Sequence, residues 1–205
     1  FFFSSMIIPI LLLILGGVFL WKGADLLVEG TADTASHWKI PPIYIGLTVV
    51  AFGTSLPELI VSLVAVFQDQ PAISIGNIVG SNISNIGLII GITALIAPLA
   101  VKRRTLTYEF PIMIILSFLL AILGNKMYLL GREGFFFGKV AGGIFITIFI
   151  IFLYYIYRSI KKGEDTIEEF NAKNTGWKNA LFIIAGPILL FYGGKFFVDG
   201  SSEIA

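Results

Sequence analysis

The sequence predicts an all-α integral membrane protein, laid out as the first half of an inverted repeat of five plus five helices, with broken helices at the midplane. Three observations predict it: composition, the spacing of apolar runs, and an internal match between two of those runs. Hydrophobic residues make up 57% of 205 residues and charged residues only 13%, and the mean hydropathy is +0.92. A soluble domain carries roughly 45–50% apolar and about 25% charged residues. A soluble chain of this length could not hide so much apolar surface. The absence of cysteine excludes disulfides and thiolate metal sites. A net charge of +1 offers nothing to a nucleic acid, so the bilayer is the expected environment and nucleic acid is not an expected partner.

Spans of about 20 apolar residues match a hydrocarbon core about 30 Å thick. Six are expected, near residues 7–29, 42–66, 74–98, 106–125, 138–157 and 178–199. The opening FFFSSMIIPI has neither a basic n-region nor a small-residue cleavage site, so it is not a cleavable signal peptide. Its first residue is not Met, which suggests a trimmed or incomplete N-terminus. Between the last two spans lies RSIKKGEDTIEEFNAKNTGW, a polar stretch expected to be a solvated linker. Orientation follows from basic residues in the connections. One side carries Lys39, Lys102, Arg103, Arg104, Arg158, Lys161, Lys162, Lys173 and Lys178, and the other carries Lys126, Arg132 and Lys139. The richer side is cytoplasmic by that rule, which puts the N-terminus outside and the 158–177 loop in the cytoplasm.

The chain also matches itself. GADLLVEGTADTA (Gly23–Ala35) aligns with GGKFFVDGSSEIA (Gly193–Ala205) at an offset of 170. Gly23/Gly193, Val28/Val198, Gly30/Gly200 and Ala35/Ala205 are identical, and Glu29/Asp199, Thr31/Ser201 and Asp33/Glu203 are conservative. The unit between them holds five spans, an odd number, so the second copy must lie upside down in the bilayer. Inverted repeats of this kind build many secondary transporters, with the substrate site at the midplane between them. The expected organisation is a first five-helix repeat over 1–157, a cytoplasmic linker over 158–177, and the first helix of a second, truncated repeat over 178–205. The remainder of that repeat, on the order of a hundred residues or more, is expected to lie outside this sequence. A half-size protein that pairs with a partner is the alternative.

Two stretches place polar groups where lipid forbids them. In AFGTSLPELIVS (Ala51–Ser62), on a helix of 100° per residue, Thr54, Glu58, Ala51, Ser62 and Ser55 fall at about 0°, 40°, 60°, 80° and 100°. Pro57 cannot donate to the Gly53 carbonyl, so the helix should break there and free backbone oxygen, which is tolerated at membrane depth only beside protein or a water-filled cavity. Gly53 should ease the distortion. In SIGNIVGSNISNIGLIIG (Ser74–Gly91), Asn77, Ser81 and Asn85 recur at helical spacing with Ser74 and Ser84 on their face. Gly76, Gly80, Gly87 and Gly91 form a second face, expected to pack closely against another helix. The Asn/Ser face reads either as interhelical glue or as a ligand set. An ionisable residue such as Glu58 within the membrane is a functional hypothesis by default. Its spans offer no Lys or Arg to pair with it, while hydroxyls, amide oxygens, free carbonyls and a carboxylate are hard ligands suited to Ca²⁺, Mg²⁺ or Na⁺.

GTSLPE followed by GNIVGSNISN resembles the first α-repeat of the calcium/cation antiporter superfamily, in its sodium/calcium exchanger type. The similarity runs from Gly16 to about Pro98, with the α-repeat itself at about 42–98. The resemblance implies that Glu58 is the central metal-binding carboxylate. It implies too that Thr54, Ser55, the Ala51 carbonyl, Ser81 and Asn85 complete this half of the site. It implies a secondary active antiporter that exchanges Ca²⁺ for Na⁺ by alternating access, the two ions occupying overlapping positions. No cofactor is expected beyond the transported ions, and the second repeat is needed for a complete site. The setting implied is a plasma membrane, prokaryotic by the short linker. Other readings stay open: Ca²⁺/H⁺ exchange with Glu58 as proton carrier, or a cation channel built from the same oxygens. A hydrolase with Ser55 as nucleophile is disfavoured, because GTSLP lacks the second glycine of GxSxG and the lone His37 is expected in the first loop, outside the membrane. An enzyme is therefore not expected.

Overall fold

The computed structural model describes residues 2–40, 45–101, 103, 105–124, 138–161 and 176–204. Among them every regular element is helical. α1 is Phe2–His37. α2 is Ala51–Thr54, entered through a π-helical stretch Gly46–Val50. α3 is Leu56–Phe67. α4 is Pro71–Ile96, with Ser84–Ile90 π-helical. α5 is Thr105–Gly124, α6 is Lys139–Lys161 and α7 is Trp177–Ile204. Four of these are long and apolar enough to cross a bilayer, and α2 with α3 form a fifth span bent by 51°. The apolar part of α6 is shorter. Each helix falls on one of the six expected spans, and the chain is an integral membrane protein.

Residues 1–92 and 166–205 form one compact unit and 93–165 a second. The second holds α5 and α6, whose side chains are largely exposed aliphatics and aromatics such as Ile115, Phe118, Ile150 and Ile151. Most of the 158–177 linker lies outside the described residues.

The first unit is organised around α1 and α7, which run antiparallel in close backbone contact. A methyl placed on Gly16 would sit 2.6 Å from the Phe197 nitrogen, and one on Gly193 2.7 Å from the Leu20 nitrogen. Gly23 against Gly186, Gly30 against Asn179, and Gly200 against Pro9 repeat the arrangement along the seam. Lipid gives helices no hydrophobic drive to associate, so small residues that admit close van der Waals contact supply it. The outward face of α1 carries Ile7, Leu11, Ile14, Val18 and Trp21, all exposed, as lipid-facing residues should be.

α3 packs across this pair. Val61 and Ala65 join Leu20, Ala24, Leu190 and Val198 in the buried cluster. α3 ends at Phe67, beyond which Asp69 adopts φ +56° and the Gln70 N–H donates to the Ala65 carbonyl at 2.7 Å, a left-handed helix stop. Pro71 then opens α4, where a missing N–H costs nothing. α3 and α4 form a tight helical hairpin. At its turn Gln68 Nε2 donates to Asp199 Oδ1 of α7 at 2.9 Å.

α1 extends beyond the expected 7–29 because Lys22, Asp25, Glu29 and Asp33 lower its hydropathy without ending the helix. Lys22 meets Asp25 one turn on at 3.6 Å and lies over the Trp21 ring, while Asp33 is fully buried. The glycine face of α4 departs from expectation. Methyls on Gly76, Gly80 and Gly87 would meet nothing within 4 Å, so the close glycine packing belongs to α1 and α7.

Candidate functional site

The second span breaks at Ser55, two residues earlier than expected. Ser55 has φ −98° and ψ 0°, the bridge region common at functional sites. Its N–H donates to the Phe52 carbonyl at 3.1 Å, a tightened last turn for α2. The reason is the proline's ring, which clashes with the carbonyl four residues back. Breaking at Ser55 moves Pro57 into the first turn of α3, where proline is tolerated. The single polar arc expected from 100° spacing is thus cut between Thr54 and Glu58. Gly53 is buried for another reason than flexibility: a methyl there would overlap Val28 Cγ2 of α1.

The break leaves polar atoms in reach of one another. Thr54 Oγ1 donates to the Ala51 carbonyl at 3.0 Å. That carbonyl keeps a second lone pair, and the Thr54 oxygen keeps its own. Both residues, and Ser55, are exposed within this chain. Glu58 is half-buried, and its Oε2 is buried with no hydrogen-bond partner. A native buried oxygen in that condition calls for an explanation.

α4 faces this turn. Asn77 Nδ2 donates to the Glu58 backbone carbonyl and to Ser62 Oγ, both at 3.0 Å. Ser62 and Ser74 are buried in the same hairpin. One turn beyond Asn77, Ser81 Oγ donates to the Ile78 carbonyl at 3.2 Å. An open groove of about 480 Å³ runs past Gly76, Asn77, Gly80, Ser81 and Ser84 to Phe197 and Ser201 of α7. Asn85 stands exposed at the start of the π-helical stretch and takes part in none of these hydrogen bonds. Of the six expected ligands, the structure joins Thr54 to Ala51, sets Ser55 at the break, and links the Glu58 turn to the Ser81 helix through Asn77. The role of Asn77 escaped sequence reasoning, although its place on the Ser81/Asn85 face was visible. Among the described residues no three His, Cys, Asp or Glu side chains cluster, and the side chains hydrogen-bonded across the Glu58 turn, Asn77 and Ser62, are neutral.

A multi-span helical membrane protein, with one span broken beside a half-buried carboxylate, has the architecture of a secondary transporter. Comparison with known proteins makes the class specific. Residues 8–158 match the sodium/calcium exchanger protein family. The chain belongs to that family, which is one of transporters and not of enzymes. It is 36% identical over 194 residues to an uncharacterized membrane protein of Methanocaldococcus jannaschii, covering 94% of this chain and 60% of the relative. It is 45% identical over 104 residues to the sodium/calcium exchanger MaX1 of Methanosarcina acetivorans, covering 51% of this chain and 30% of that one. Among solved structures it is similar to the sodium-calcium exchanger NCX_Mj soaked with Na⁺ and Sr²⁺, at a TM-score of 0.53 and 32% identity over 98% of this chain and 62% of that chain. The chain therefore spans about three fifths of the length of its full-coverage relatives.

Proposed function

We propose that the protein is a secondary active antiporter that exchanges Ca²⁺ for Na⁺ across a membrane by alternating access. The observation that carries the proposal is the partnerless buried Glu58 Oε2 beside a broken helix. A carboxylate in that setting is stabilised by a cation, and the neutral oxygens around it are hard donors. Glu58, Thr54, Ser55, the Ala51 carbonyl, Ser81 and Asn85 are the ligands from this half. One carboxylate balances Na⁺ but leaves Ca²⁺ undercompensated, which supports a second, inverted repeat that supplies another. The uncovered glycine face of α4 suits close approach of such a repeat. Membership in the exchanger family and the similarity to exchangers so named support the same ion pair. The membrane is a plasma membrane of prokaryotic type, with the N-terminus outside and the 158–177 loop in the cytoplasm, on the bias of Lys and Arg.

Na⁺-loaded vesicles containing the intact protein should take up Ca²⁺ when moved into Na⁺-free medium. Uptake that ignores the Na⁺ gradient and follows a pH gradient would replace Na⁺ with H⁺ as the counter-ion. Glu58→Gln should abolish exchange and leave a folded protein. Full activity in that variant would remove Glu58 from the site.

A further inference from the structure

We propose that Asn77 is the positioning residue that fixes the distance between the Glu58 carboxylate and the Ser81 hydroxyl, and thereby the size of the cation accepted. The inference rests on Glu58 and Ser81 being ligands, as proposed above. Glu58 lies in the first turn of α3, the part of a helix least held by its own backbone. The first four N–H groups have no intrahelical partner, and Pro57 has no N–H at all. Asn77 supplies an external tether for that turn, through the Glu58 carbonyl and not through the unpaired N–H groups. Both hydrogens of its Nδ2 are committed to a single turn of α3, one to the Glu58 carbonyl and one to Ser62 Oγ, each at 3.0 Å. Ser62 is only 8% exposed, so water is poorly placed to replace that bond.

Asn77 acts through the main chain of Glu58 and not on its carboxylate, which separates it from a ligand. On its own helix, Ser81 lies four residues on and so shares its face. The amide therefore holds one proposed ligand's backbone while sitting one turn from another. Few side chains can substitute. Ser offers one donor where two are used, and an ionised Asp offers none. The same crosslink makes Asn77 part of the wall of the groove that also exposes Ser81 and Ser84.

The test is Na⁺-gradient-driven uptake in proteoliposomes containing the intact protein, with Ca²⁺ and Sr²⁺ as competing probes and Glu58→Gln as control. Asn77→Ala should raise the Ca²⁺ concentration for half-maximal uptake by about 10–100-fold, the usual effect of losing a residue that orients a metal ligand. It should also shift the Sr²⁺/Ca²⁺ preference, which a purely structural loss of protein would not do. Ser62→Ala, which removes one of the two acceptors, should shift both readings less and in the same direction. Asn77→Gln should recover part of the Ca²⁺ affinity. Half-maximal Ca²⁺ and a Sr²⁺/Ca²⁺ ratio within about twofold of the parent in Asn77→Ala would overturn the proposal. If that variant does not fold, unchanged values in Ser62→Ala overturn it equally. An inactive Glu58→Gln beside an unaffected Asn77→Ala rejects only this inference, whereas an active Glu58→Gln rejects the site itself.

Discussion

Pro57 and Gly53 show how much a single residue decides in the broken span, and how differently the two act. Pro57 excludes a continuous helix, and the chain answers by turning at Ser55, so that the proline opens α3. Its effect was legible in the sequence, but the site of the break was not, because a proline forbids a bond four residues back without dictating which residue turns. Gly53 was legible only as a glycine. Its reason lies on another helix, where Val28 Cγ2 fills the space a methyl would need. That atom belongs to a β-branched side chain with little rotamer freedom, so the clash cannot relax cheaply. Gly53→Ala should destabilise the protein by about 1–3 kcal/mol, the usual cost of overpacking. Thermal unfolding in detergent would read it as a lowered Tm. Val28→Ala in the same chain should restore most of the loss, since the pair is in direct contact and its energies are not additive. A Gly53→Ala protein as stable as the parent would show that α2 does not depend on its seat against α1.

Between elements, glycine spacing carries the information that polar motifs carry at the site. Gly16, Gly23 and Gly30 face Gly193, Gly186 and Asn179 across the α1–α7 seam. The sequence displayed a more conspicuous set on α4, where Gly76 and Gly80 stand four apart in the familiar pattern, yet no atom lies within 4 Å of a methyl there. Spacing tells that a helix has a small face but not what meets it. The seam glycines recur every seven residues and are diluted by leucines, so their periodicity is weaker to the eye. Seam glycines and glycines with open space beside them should respond oppositely to the same change. Gly16→Ala and Gly193→Ala push a methyl onto backbone atoms, which cannot move aside as a side chain end could, and each should lower stability by about 1–3 kcal/mol. Gly17→Ala and Gly142→Ala meet nothing within 4 Å and should be neutral or stabilising by up to about 1 kcal/mol through helix propensity. Chemical or thermal unfolding of the four variants checks both arms. Equal effects in both sets would deny that the seam is a close-contact interface.

At the scale of the molecule, the offset of 170 residues becomes a symmetry of contacts. Adding it to Gly16 gives Gly186, and subtracting it from Gly193 gives Gly23, so the contact Gly16–Gly193 becomes the contact Gly23–Gly186, which is also present. The pair Gly30–Asn179 becomes Gly200–Pro9 in the same way. The exposed stripe Leu11, Ile14, Val18, Trp21 on α1 likewise corresponds to Leu181, Ile184, Ile188, Phe191 on α7, all exposed. A pseudo-two-fold axis between α1 and α7, perpendicular to both, produces these coincidences, and it turns α7 upside down relative to α1. The sequence held this arrangement in its odd number of spans, whereas the pairing itself required three dimensions. The symmetry has a consequence for topology. Thr34 and His37 of α1 share a cavity of about 280 Å³ with Gly176 and Asn179 at the start of α7, so the exposed Trp38 and Trp177 belong to one membrane face. Ile204 belongs to the other. The sequence contains no cysteine, which gives single introduced thiols a clean background in this chain. Trp38→Cys and Trp177→Cys should react with a membrane-impermeant maleimide from the cytoplasmic side only, and Ile204→Cys from the outside only. Labelling of all three with sides exchanged would reverse the orientation and keep the inverted repeat. Labelling of Trp38→Cys and Trp177→Cys from opposite sides would mean that α1 and α7 run parallel, and the inverted repeat would fall with its axis.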